Sequence, residues 1–223
     1  MRPLRRLIVT ALLGFAAGTA FASPAAPQEG VDYKVLTPAQ PTDTGNKVEV
    51  IEFFAYYCPH CAAWEPQLEA WVKKQGDNIV FKRVHVAAGE SVEPQQRLFY
   101  TLSAMGLLAQ YHQKAFDAIH VEHLRLSSDD QVFDWAAKNG IDRARFMATY
   151  RSFGMPANLR RAAGMMDTYH VEYWPMVVVD GRWIASPSQT GEHMPKGSSE
   201  AQQQQATLQV MDALVAKAAA GHR

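Results

Sequence analysis

A dense run of β-branched and aromatic residues, Val48 to Phe54 (VEVIEFF), leads after three residues into Cys58-Pro59-His60-Cys61. From there Trp64, Leu68, Trp71 and Val72 recur at helical spacing, and a second strand-length run, Ile79 to Val86 (IVFKRVHV), follows. A helix between two such strands returns the chain to the same edge, so this order predicts a parallel pair with a right-handed crossover. The two cysteines are the only ones in 223 residues. They exclude a disulfide-dense scaffold and a four-cysteine zinc site within one chain, and they have a role only as a pair.

From Glu93 to Tyr169 the pattern is helical throughout. Pro94 suits a first turn, Ser128 with Gln131 makes a capping box, and Asn139-Gly140, Gly154 and Gly164 read as stops or breaks. Strand character returns at Met176 to Val179, turns at Asp180-Gly181 and continues from Arg182 to Ala185. A polar loop from Ser186 to Ser199 leads into a closing helix with Leu208, Met211, Leu214 and Val215 on one face and Gln202 to Gln205 as its solvated start. A lone hairpin needs a sheet to join. The order therefore predicts an α/β domain over residues 23–87 and 170–223 interrupted by an all-helical domain over 88–169.

The first 22 residues carry Arg2, Arg5 and Arg6, an apolar run from Leu7 to Ala17, and Ala20-Phe21-Ala22, the pattern of a secretory signal peptide cleaved before Ser23. A membrane anchor is the competing reading, but the run is short of the roughly 20 residues that span a bilayer. Ser23 to Gly30 then reads as a flexible mature N-terminus. Removing three arginines from a balance of 22 basic and 22 acidic residues leaves a mature charge of −3, which offers no electrostatic case for nucleic acid or anionic lipid as a partner. Export also places the cysteines where a dithiol can persist as a disulfide.

The first cysteine of the pair stands where a strand hands over to a helix. Free N–H groups and the macrodipole there stabilise a thiolate, so Cys58 is expected to be acidic and nucleophilic. Cys61, one turn further in, is expected to be buried and to resolve the ring. His60 adds positive charge when protonated, and its side chain or the loop N–H groups can bond the Cys58 sulfur. Stabilising the thiolate stabilises the reduced form and makes the disulfide a better oxidant. A static structural disulfide, or half of a metal site shared between two chains, are the competing readings of a CxxC pair.

The stretch EFFAYYCPHC, the export signal, the helical block and the Pro-strand-Asp-Gly-strand unit together resemble the DsbA family of periplasmic thiol oxidases within the thioredoxin superfamily. The resemblance spans the mature chain and is strongest from Ile51 to Cys61. It implies a thioredoxin fold with a helical insertion, no cofactor or metal, and donation of a disulfide to reduced, unfolded exported proteins. It implies Cys58, Pro59, His60 and Cys61 as the redox motif, and reoxidation by a membrane quinone-linked partner of the DsbB kind. By the same resemblance Glu52 accepts a proton from the buried thiol, while a strand-end glutamate reaching water is the alternative. The family's lysine partner for that acid is replaced by Arg83, with Lys82 beside it, which keeps charge pairing and removes any proton relay through the base. Pro175 matches the family's cis-proline facing the disulfide, and with Trp174 it forms the expected substrate-binding edge. Trp174 departs from the small or β-branched residue usual there.

Other residues are read more plainly. His112, His120 and His123 lack a completing ligand set for a metal, Met165 and Met166 suit core or groove, and Tyr56, Tyr57 and Trp64 suit either an apolar substrate surface or the core. The expected molecule is a monomeric thiol-disulfide oxidase. The alternatives are a periplasmic reductase or isomerase, and a non-catalytic binding module in which the cysteines staple a loop.

Overall fold

The computed structural model describes residues 26–86 and 89–222, so the leader expected over 1–22 and its cleavage point lie outside the described residues. Before the helical block run β1 (Lys34–Val35), β2 (Val48–Phe54), helix α1 (Pro59–Gln75) and β3 (Ile79–His85); after it come β4 (Met176–Val179) and β5 (Trp183–Ala185). The sheet order is β1-β5-β4-β2-β3. β2 and β3 pair in parallel from Val48 opposite Ile79 to Phe54 opposite His85, as the crossover requires. The returning hairpin joins the other edge of β2, antiparallel, with Val50 opposite Val179 and Phe53 opposite Met176. β2 is thereby an interior strand with a neighbour on each side, and all seven of its residues are buried.

Period-2 alternation sends β2 side chains to two different layers. Val48 and Val50 pack with Trp64, Leu68 and Trp71 of α1 and with Leu208, Met211 and Leu214 of α8 (Glu200–Gly221). Ile51 and Phe53 face a second cluster that runs continuously into the insertion through Leu98, Phe133, Phe146 and Tyr150. The insertion consists of α2 (Glu93–Ala104), α3 (Leu108–His120), α4 (Asp129–Lys138), α5 (Arg143–Tyr150) and α6 (Met155–Thr168). Fully burying one such aromatic or leucine side chain stabilises by about 1.5–3 kcal/mol, so a shared core of this kind ties the insertion to the sheet.

Several local expectations change. Gly164 lies inside α6 and stops nothing, because its outer side is open and the helix continues without strain. Ser128 caps α4, but the Gln131 side chain accepts from the N–H of Ser127, so the box is displaced by one residue. The polar loop contains α7 (Pro187–Glu192), capped by Ser186, a helix too short to show periodicity. Gln204 is buried within the expected solvated run, accepting from the Gln67 amide at 3.0 Å. β1 was not expected at all and adds to the sheet through β5. Asp180 and Gly181 both take positive φ, 54° and 60°, and a side chain at 181 would collide with the Gln40 backbone, so glycine is required at that corner. No described helix is long and apolar enough to cross a membrane.

Candidate active site

Cys58 is the N-cap residue of α1, in extended conformation, and Pro59 opens the helix where no N–H is needed. The next amides are therefore aimed at the sulfur: the Cys61 N–H donates to Cys58 Sγ at 3.2 Å. A hydrogen bond from the Cys61 thiol, the Cys61 and His60 backbones, and the charge of His60 pull the Cys58 thiol down to about 7, against a burial that opposes them. Cys61 moves the other way. Its burial comes first, and the neighbouring Cys58 sulfur and the charge of Glu52 push its thiol further up. Both thiols are free in this structure, which is thus the reduced form.

The His60 ring does not bond the sulfur. Its Nδ1 meets Glu200 Oε1 at 2.8 Å, at the first turn of α8, and that hydrogen bond raises the imidazole above its ordinary value. The charge of His60 still reaches Cys58 through space, from an exposed ring held at a fixed distance by another helix.

Glu52 resolves to the buried reading, at 1% exposure beneath the pair. Burial and then repulsion from Glu65 push it up to about 7, in spite of Arg83, whose Nε donates to Glu52 Oε2 at 3.0 Å. Lys82 takes no part here; it points to the opposite face of β3 and pairs with Asp43 and Glu49. The same Arg83 guanidinium donates through Nη2 to Glu65 at 2.7 Å and to Glu69 at 3.1 Å. Glu65, also buried, is raised to about 7, chiefly by burial. Three carboxylates on one cation leave the buried pair poised to hold a proton near neutral pH.

The sequence reading missed Glu65 and Glu69, although a visible signal existed: they follow Cys61 at four-residue intervals, along the face of α1 that meets β3. His112, considered only as a metal ligand, packs into this cluster. Its Nε2 lies 3.5 Å from Glu65 Oε2, its Nδ1 is 2.9 Å from the Tyr56 hydroxyl, and burial holds it down to about 3 and so neutral. His120 donates from Nε2 to the Tyr56 carbonyl at 2.7 Å, while His123 lies at positive φ beyond the helix. Tyr56 and Trp64 are wholly buried core residues, whereas Tyr57 remains half-buried beside the motif. Met165 and Met166 pack half-buried against the core.

The Trp174-Pro175 bond is cis, as the resemblance implied, and so is Thr37-Pro38, which nothing had signalled. The Trp174 carbonyl accepts from the Cys58 thiol at 3.8 Å. The Trp174 indole meets Tyr57 edge-on, with ring centroids 6.2 Å apart. The structure thus brings Cys58, Pro59, His60, Cys61, Glu52, Trp174 and Pro175 to one end of the sheet.

Comparison with known proteins bears on the family and the fold. Residues 49–209 match the model of the DSBA-like thioredoxin domain. A thiol:disulfide interchange protein DsbA from Burkholderia cepacia is 43% identical over 190 residues, covering 84% of this chain and 90% of the relative. One from Pseudomonas aeruginosa PAO1 is 33% identical, covering 81% and 86%. The crystal structure of Pseudomonas aeruginosa DsbA superposes with a TM-score of 0.76 at 30% identity, covering 86% of this chain and 94% of that one. With the fold, the two thiols and these likenesses in agreement, the chain belongs to the DSBA-like thioredoxin family.

Proposed function

We propose that this chain is an exported thiol-disulfide oxidoreductase that donates the Cys58–Cys61 disulfide to reduced, unfolded proteins in the periplasm. The observation that carries the reading is the opposed acidity of the two thiols, with Cys58 held near neutrality at the tip of α1 and Cys61 held protonated beneath it. In the oxidised enzyme a substrate thiolate attacks Cys58 Sγ, a mixed disulfide forms, and Cys61 leaves as a thiolate that takes up a proton. The substrate's second thiolate then attacks its own sulfur in the mixed disulfide and releases Cys58 as the stabilised thiolate. Two electrons pass from substrate to enzyme, Cys61 keeps one proton while Cys58 remains a thiolate and the other proton stays in solvent, and a membrane quinone-linked partner of the DsbB kind removes the electrons.

In this scheme His60 and the helix terminus favour Cys58 as leaving group, and Pro59 keeps the following amides free for the sulfur. Glu52 exchanges a proton with Cys61, and Arg83 holds that acid in place without exchanging protons. The Trp174 carbonyl and Pro175 form the edge along which an extended substrate backbone lies, with Tyr57 and Trp174 as its apolar flank. The enzyme acts as a monomer. Its catalytic domain comprises residues 23–87 and 170–223, its helical domain 88–169, and residues 1–22 are the removed leader.

The division of labour is tested with single serine variants and a reduced unfolded protein. Cys61→Ser should accumulate mixed disulfides through Cys58, and Cys58→Ser should neither oxidise nor trap substrate. Trapping through Cys61 in the Cys58→Ser protein would reverse the assignment.

A further inference from the structure

The near balance of charge over the whole chain hides a local excess. From Arg143 to Met166 there are five arginines and no acidic residue. Arg143 is paired with Asp134 at 2.9 Å, and Arg151 lies over the Phe133 ring at 5.0 Å. Arg145, Arg160 and Arg161 are exposed and, among the described residues, take no carboxylate partner. The loop joining α5 to α6 carries Phe153 at its tip, 103% exposed.

Helix α6 packs onto the fold through few of its residues. It buries only Met155 and Ala162, leaves Pro156, Ala157 and Ala163 exposed, and keeps Leu159 and Met165 half-buried. Small and apolar residues facing water, cations without counter-charges, and an aromatic side chain standing clear of the fold are the features of a helix that lies in a membrane interface. Nucleic acid fits less well, because one phenylalanine at a loop tip is no stacking platform. An acidic protein would neutralise the arginines, but a convex tip offers it no pocket around Phe153.

We propose that the α5–α6 segment is a reversible docking surface for an anionic phospholipid bilayer. Arg145, Arg160 and Arg161 meet headgroup phosphates, and Phe153 enters the boundary with the acyl chains. The site is separate from the cysteine pair and stands whether or not the redox reading does. For an enzyme reoxidised by a membrane protein it would confine the search for that partner to the bilayer surface.

The test is co-sedimentation of the mature chain with phosphatidylglycerol vesicles and with pure phosphatidylcholine vesicles. Binding is expected only to the former and should weaken as salt rises. At roughly fivefold per arginine near an anionic surface, replacing Arg145, Arg160 and Arg161 together by Gln should lower affinity by about a hundredfold. Phe153→Trp should show blue-shifted emission, relative to wild type, on phosphatidylglycerol vesicles and not on heparin or polyglutamate. All variants should oxidise thiols in solution at the wild-type rate. Absence of vesicle binding, binding that survives the triple substitution, or equal binding to polyglutamate with no emission shift would overturn the proposal, the last in favour of an acidic protein partner.

Discussion

Arg83 stands directly opposite Glu52 in the parallel β2–β3 register, and its Nε donates to that buried carboxylate at 3.0 Å while Nη2 serves Glu65 and Glu69. One cation therefore compensates two acids that have little access to water. Removing it leaves uncompensated buried charge, so Arg83→Met should lower stability at pH 7 by about 3–5 kcal/mol in urea unfolding. The deficit should shrink at pH 5. Glu52 and Glu65 sit at about 7 in the fold against an ordinary 4.5, so protonation favours the folded state, fully below about 4.5, and that contribution is lost as pH rises through 7. His85 and His112, held down to about 3, act oppositely and withdraw stability as pH falls below 6.5, which keeps the wild-type profile shallow across this window. An Arg83→Met deficit that is unchanged between pH 7 and pH 5 would contradict this account of the cluster.

Glu52 is also expected to act on rate. Glu52→Gln keeps the shape and the hydrogen bond from Arg83 but cannot exchange a proton. The step in which Cys61 gains or loses its proton should slow by about tenfold or more in stopped-flow oxidation, while the inflection that the Cys58 thiol contributes near pH 7 remains. A wild-type rate in this variant would return Glu52 to a structural part.

Glu200 links the motif to the C-terminal helix. Because its hydrogen bond is the main cause of the raised His60 value, Glu200→Gln should move the imidazole titration downward, as followed by proton NMR of the reduced enzyme. Cys58 should become less acidic, because His60 would then lose its charge at a lower pH than in the wild type. An unmoved His60 titration would show that the contact sets geometry alone.

Trp174 should govern which peptides fit, and not the acidity of the thiol. Its ring contacts Tyr57, while only its main-chain carbonyl faces Cys58. Trp174→Val should change relative rates across a panel of cysteine peptides by a few-fold for bulky flanking residues, with the Cys58 titration near 7 unaltered. A shifted Cys58 titration would place the indole in the thiolate's own environment.

Much of this arrangement was legible because local signals were unambiguous. Strands β2 and β3, the DG corner and the CPHC motif each carry a pattern of their own, and the strand–helix–strand order fixed the parallel pairing. What escaped was set by long-range contact. β1 is two residues long and exists through β5. Glu65 and Glu69 look like ordinary surface acids on a helix until Arg83 is brought across from β3, and the His60–Glu200 contact joins residues 140 positions apart. Net charge likewise concealed the acid-free segment of α5 and α6, since an average over the chain says nothing of where the charges lie.

The central claim is that the fold stabilises the Cys58 thiolate and so favours the reduced enzyme. Urea unfolding of the oxidised and reduced forms, side by side at pH 6 and at pH 8, tests it most directly. Loop closure alone would make the oxidised form the more stable, whereas thiolate stabilisation at the α1 terminus opposes this. The Cys58 thiolate contributes fully above about 9 and its contribution is lost as pH falls through 7, so the reduced enzyme should gain about 1 kcal/mol on the oxidised form between pH 6 and pH 8. A difference between the two forms that does not change between pH 6 and pH 8 would contradict the account.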